Sequence, residues 1–192
     1  MSKPNFISLC MLGVLLSSTS FLVAASRQNR DYLTPQEVEL VKEAQVLDKR
    51  IDVFIKAADR RMMVLTGVAP PSTKQSKKEA ELWGDLPTGS RAELVGDIAR
   101  IFDEAITNID DVSSRDEKNP LISKAVRSLA QAANNIMAQI APLRAQAKTE
   151  AEIASFEMLN DDVQQIQQAA NKLPAEIDKK TKGKNEKAKD KN

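Results

Sequence analysis

The chain has 192 residues, with 28 Lys and Arg against 27 Asp and Glu, no His and a single Cys. The lack of imidazole, with the one thiol at Cys10 near the N-terminus, excludes Ser-His-Asp and Cys-His catalysis, zinc sites built on thiolate or imidazole, c-type haem attachment, Glu-x-x-His di-iron sites and an intrachain disulfide. The balanced charge is unlike that of a globally basic nucleic-acid binder, and any catalysis would fall to Asp, Glu, Lys, Ser or Tyr.

The first 25 residues read as an address. Lys3 is a short positive lead, Phe6–Leu16 is an apolar run, and Val23-Ala24-Ala25 places small residues at the positions a signal peptidase requires. This layout predicts a cleavable secretory signal over 1–25 and an extracytoplasmic location, periplasmic or secreted. The alternative is a retained anchor, because Phe6–Ala25 spans 20 residues; Ser17-Ser18-Thr19-Ser20 interrupts that run and favours cleavage. Cleavage leaves a domain over 26–177 and a tail over 178–192, with no stable membrane insertion.

The domain opens with a clear helix start. Thr34 is an N-cap, Pro35 takes the first helical position, and Glu37 completes a capping box, with Leu33 and Val38 as a hydrophobic staple. Asp48 fits either the cap of a new helix or a polar residue in a continuous one. From there Ile51, Ile55, Ala58, Met62 and Leu65 repeat at helical spacing, with Phe54 widening the stripe, until Gly67 and Pro70-Pro71 end it. Residues 67–89 read as one long loop, mobile in its first half and pinned onto the core by Leu82, Trp83 and Leu86 in its second.

Ser90 and Glu93 form a second capping box, followed by Val95, Ile98, Phe102, Ala105, Ile109 and Val112. The charged stretch Asp110–Lys118 reads as a turn. Asn119-Pro120 opens another helix carrying Ile122, Val126, Leu129, Ala133, Ile136, Ile140 and Leu143, with Pro142 late in the run. The seam is lost past Ala147 and restarts with Phe156, Leu159, Val163, Ile166, Ala170, Leu173 and Ile177, after a third capping box at Thr149 and Glu152. A tight turn near 147–149 is therefore expected. Beyond Ile177 the chain holds seven Lys against Asp178, Glu186 and Asp190, and is expected to be disordered.

No period-two pattern appears, so the expected fold is all-α: an antiparallel helical bundle of four main helices, the first with a candidate split near Asp48. Neither cofactor nor metal site is expected. The adjacent carboxylates Asp110-Asp111 and Asp161-Asp162 point about 100° apart on a helix and read as solvated faces. Met62-Met63 reads as core rather than as a soft-metal site. Trp83, with Leu82 and Leu86, is the candidate partner contact, although stapling the loop from within explains Trp83 as well.

Leu33-Thr34-Pro35-Gln36-Glu37 resembles the Leu-Thr-x-x-Gln motif of small helical periplasmic stress chaperones, with Glu37 in place of the final Gln and the motif present once. The capping box accounts for the same residues. The leading expectation is an exported, non-enzymatic helical protein that binds a protein or other macromolecule of the cell envelope. The resemblance implies a second reading, a periplasmic holdase or carrier with an apolar groove. A carboxylate-dependent enzyme ranks third.

Overall fold

A computed structural model describes residues 30–68 and 74–174 of the chain. The signal segment, Pro70-Pro71, Ile177 and the Lys-rich tail lie outside the described residues. The described residues are all-helical: α1 (Pro35–Glu43), α2 (Leu47–Thr66), α3 (Lys74–Trp83), α4 (Arg91–Arg115), α5 (Pro120–Arg144) and α6 (Glu150–Asn171). None of these helices is long and apolar enough to cross a membrane.

Local chemistry explains most boundaries. Thr34, Ser90 and Thr149 each accept the backbone N–H of a Glu on the first turn of its helix, and that Glu accepts the cap's own N–H in return. Asn119 caps α5 just ahead of Pro120. α2 ends at Gly67, which takes the left-handed conformation (φ 68°) that a side chain resists. Pro142 sits exposed in the last turn of α5, where its missing N–H interrupts little of the helix.

Two expectations need correction. The segment 67–89 is not simply a loop: it carries α3, anchored by Trp83, which is buried at 8 % exposure, and by an ion pair of Glu79 with Lys56 on α2 at 3.2 Å. The turn expected over Asp110–Lys118 is confined to its end: α4 continues to Arg115, because Ile109 and Val112 still pack on the core and Arg115 pairs with Asp111 one turn back, and the chain turns at 116–119. α6 ends at Asn171, and Ala170 and Leu173 still pack on the core as the seam predicts, while its last expected residue, Ile177, lies outside the described residues. The chain thus has six described helices where four main ones were expected, with the first break at Ala44–Val46, just before Asp48.

α2, α4, α5 and α6 share one apolar core, in which α2 packs on α4 and α5, and α6 packs on the same two. Ile51, Phe54, Ile98, Ile101, Phe102 and Ile136 are fully enclosed, each worth about 1.5–3 kcal/mol of burial. Ala57, Ala58, Ala99, Ala105, Ala125 and Ala133 are equally enclosed and let the helices approach closely. Side-chain pairs join these helices. Arg91 at the start of α4 donates to Glu152 at the start of α6 (2.8 Å). Lys124 near the start of α5 donates to Asp48 at the start of α2 (2.5 Å), and Arg50 on α2 reaches Asn108 late in α4.

Candidate functional site

The most concentrated polar chemistry among the described residues is buried where α1, α2, α4 and the end of α3 meet. Glu37 is fully buried, Arg61 is 1 % exposed, Asp97 3 % and Arg60 5 %. The helix phases put them there. Arg61 follows Phe54 and Ala58 along the inward stripe of α2, and Asp97 lies beside Ile98 on α4.

Glu37 accepts four hydrogen bonds, enough to use the lone pairs of a carboxylate. Oε1 accepts from Arg60 Nε (3.1 Å) and Arg61 Nη1 (2.7 Å). Oε2 accepts from Arg61 Nη2 (2.8 Å) and the Thr34 backbone N–H (2.9 Å). The two Arg61 bonds make a bidentate fork, the strongest pairing of these groups. Arg61 also donates to the carbonyls of Ala57 (2.7 Å) and Tyr32 (2.5 Å), and its Nε lies 3.9 Å from Asp97 Oδ2. At that separation the Nε makes no hydrogen bond, and attraction across a dry interior links the two groups.

Arg60 carries the network to α3. Its guanidinium lies 5.6 Å from the centre of the Trp83 ring, a cation–π distance, and its Nη2 donates to the carbonyls of Gly84 (3.2 Å) and Asp85 (2.5 Å). Gly84 is left-handed (φ 66°), and a Cβ there would fall 2.9 Å from Gln36 Cδ, so α1 and the end of α3 touch through a position only glycine suits. Two cations and two carboxylates balance within the cluster, and all four side chains are buried.

The candidate partner residues therefore separate. Trp83 faces inward against Arg60, whereas Leu82 is 57 % exposed and Leu86 37 % exposed. Leu82 and Leu86 flank a segment fixed by the Trp83 ring and by two carbonyls bonded to Arg60.

The paired carboxylates differ in environment. Asp110, Asp111 and Asp161 are exposed, but Asp162 is half-buried and its Oδ2 has no hydrogen-bond partner. Burial, then the charges of Asp103 on α4 and of Asp161, push the Asp162 carboxyl up to about 6. At the start of α6, Glu152 behaves in the opposite way: backbone N–H groups of Lys148 and Thr149, with Arg91, hold it below the usual range. No group of three or more His, Cys, Asp or Glu among the described residues converges to hold a metal ion. Met62 is buried in the core, as expected.

Between α4, α5 and α6 lies a cleft of about 60 Å³ lined by Ile106, Ile109, Val126, Leu129 and Ile166, with Asp110 and Gln165 as its polar walls. Pockets that enclose a drug-sized molecule measure about 300–1,000 Å³, so this one is a packing defect in scale.

Sequence reasoning read Glu37 as a capping residue and missed its second role, together with Arg60, Arg61 and Asp97. The available signal was Arg61 itself, a charge in phase with Phe54, Ala58 and Leu65. Its partner could not be read, because Glu37 lies on another helix. No protein-family model, no curated protein and no solved structure matches this chain.

Proposed function

We propose that this protein is an exported, non-enzymatic helical bundle that binds another macromolecule of the cell envelope through the ledge formed by Leu82 and Leu86. The observation that carries this reading is the contrast on one short segment. Trp83 is locked against Arg60 while Leu82 and Leu86 stay open to solvent. A rigid support beneath exposed apolar side chains lowers the ordering cost of binding. The four long helices, read as a bundle, provide the scaffold, and the enclosed, charge-balanced Glu37 cluster serves to hold the ledge rather than to perform chemistry.

The test places a photo-crosslinking residue at position 82, or at the exposed Lys118 as control, and irradiates the protein in envelope extract. A discrete adduct is expected from position 82 only, lost when Leu86→Glu is added and competed by excess unlabelled protein. The same adducts from both positions, or none from either, would refute the ledge.

The holdase reading requires an apolar groove. The cleft at Ile106 and Leu129 is too small for a client segment, so that activity would depend on the helices opening.

A further inference from the structure

The start of α2 differs from those of α1, α4, α5 and α6. α1, α4 and α6 begin at capping boxes and α5 at Asn119-Pro120, but α2 begins at Val46 with no side-chain cap. Valine is among the poorest N-cap residues. Nor is the break between α1 and α2 demanded by the residues around it. Gln36–Thr66 contains neither Gly nor Pro. Leu40, Ala44, Leu47 and Ile51 follow one another at helical spacing, so an apolar stripe runs straight through the break. The bend is held by tertiary contacts: Glu37 to Arg60 and Arg61, and Arg50 Nε to the carbonyl of Ala44 at 2.8 Å. Among the described helices, α1 packs on α2 and α3 alone.

We infer that α1 and α2 form a two-state element whose straightened form exchanges α1 between two copies of the chain. In a continuous helix, Glu37 and Arg61, 24 residues apart, would stand about 36 Å from each other. Arg61 would then keep Asp97 near it at 3.9 Å but lose the carboxylate that pairs with it bidentately. A buried arginine does not tolerate that loss. The group shaped to fill the vacancy is the Glu37 of a second copy, which presents the same carboxylate on the same helix. Reciprocal exchange closes as a two-fold dimer. It restores the Glu37 bonds to Arg60 and Arg61, gives up the Arg50 bond to Ala44 at the break, and adds helical hydrogen bonds through Ala44–Val46.

The test refolds the purified protein from urea over a range of concentrations and follows its mass by light scattering. Spin labels at Glu39→Cys and Thr66→Cys, both exposed, are placed in a Cys10→Ser background and diluted with unlabelled chains. A dimer that grows with concentration is expected, with a within-chain label separation near 40 Å, set by the helical rise. Gln45→Pro forbids helix through the break but is compatible with the bent form, because Ala44 already lies outside the helical region there (φ −76°, ψ 81°). It is expected to weaken dimerisation about a hundredfold. A protein that stays monomeric at every concentration overturns the inference. So does a dimer that ignores Gln45→Pro, or one whose label separation equals that of the monomer.

Discussion

Replacing Glu37 with Ala removes the one group that joins α1 to both arginines of α2. The variant leaves Arg61 at 1 % exposure with two backbone carbonyls and a carboxylate 3.9 Å from its Nε. Breaking a buried ion pair by removing one partner costs about 3–5 kcal/mol. The remaining partners of Arg61 place this case at the lower end, about 3 kcal/mol, which for a domain of this size lowers Tm by about 6–12 °C. Urea unfolding followed by circular dichroism measures it. Glu39→Ala is the control: its carboxylate is 66 % exposed and bonded only to Lys42, so it should cost less than about 0.5 kcal/mol. Glu37→Gln separates the two roles of the side chain, since it keeps an acceptor for the Thr34 N–H and loses the charge. It should recover only the capping share, about 1 kcal/mol. Adding Arg61→Met to Glu37→Ala should restore stability, because the uncompensated charge is then gone. If Glu37→Ala and Glu39→Ala prove equally mild, the buried network does not hold α1 and the reasoning fails.

Asp162 gives the chain a specific pH response. Its carboxyl titrates near 6 when folded, above its ordinary value, so its favourable contribution is full at low pH and is lost as pH rises through 6. Asp162→Asn should therefore stabilise at pH 7.5 and change little at pH 4; the full shift corresponds to about 3 kcal/mol, and solvent screening of a half-buried group reduces it to about 1–2 kcal/mol. Equal effects at both pH values in urea titrations would contradict this. Gly84→Ala should cost about 1–2 kcal/mol, because it strains a left-handed φ and meets Gln36, whereas Gly67→Ala, with open space around it, should cost about 1 kcal/mol. Thermal melts of the two variants decide the order. Trp83 is the only tryptophan and is buried, so its emission should be blue-shifted and poorly quenched by iodide, with a red shift in Arg60→Ala; water-like emission from the unaltered protein would place the ring outside.

Much of the helical architecture is legible in the chain because it depends on neighbours. Each capping box needs two residues on one turn, and Thr34, Ser90 and Thr149 form theirs as the sequence predicts. The apolar stripe of α5 is carried by Val126, Leu129, Ala133, Ile136 and Ile140, and all of them are buried. The charged end of α4 misled because polarity resembles a turn, yet Ile109 and Val112 still reached the core. α3 was missed because its segment is polar apart from Leu82 and Trp83, and what fixes it is Arg60 on another helix.

By itself, the sequence determined the all-helical class, the capped starts and most of the inward-facing residues. These follow from hydrogen bonds within one turn and from a period of 3.6 residues. Only the tertiary structure decided that a capping glutamate would saturate its oxygens on two buried arginines, that Trp83 would turn inward while Leu82 stayed outside, and that the first helix would break at Ala44–Val46. Those outcomes depend on charges and rings brought together from separate helices. Burying Arg61 is costly enough without its carboxylate that one long-range pair overrides a local preference for continuous helix.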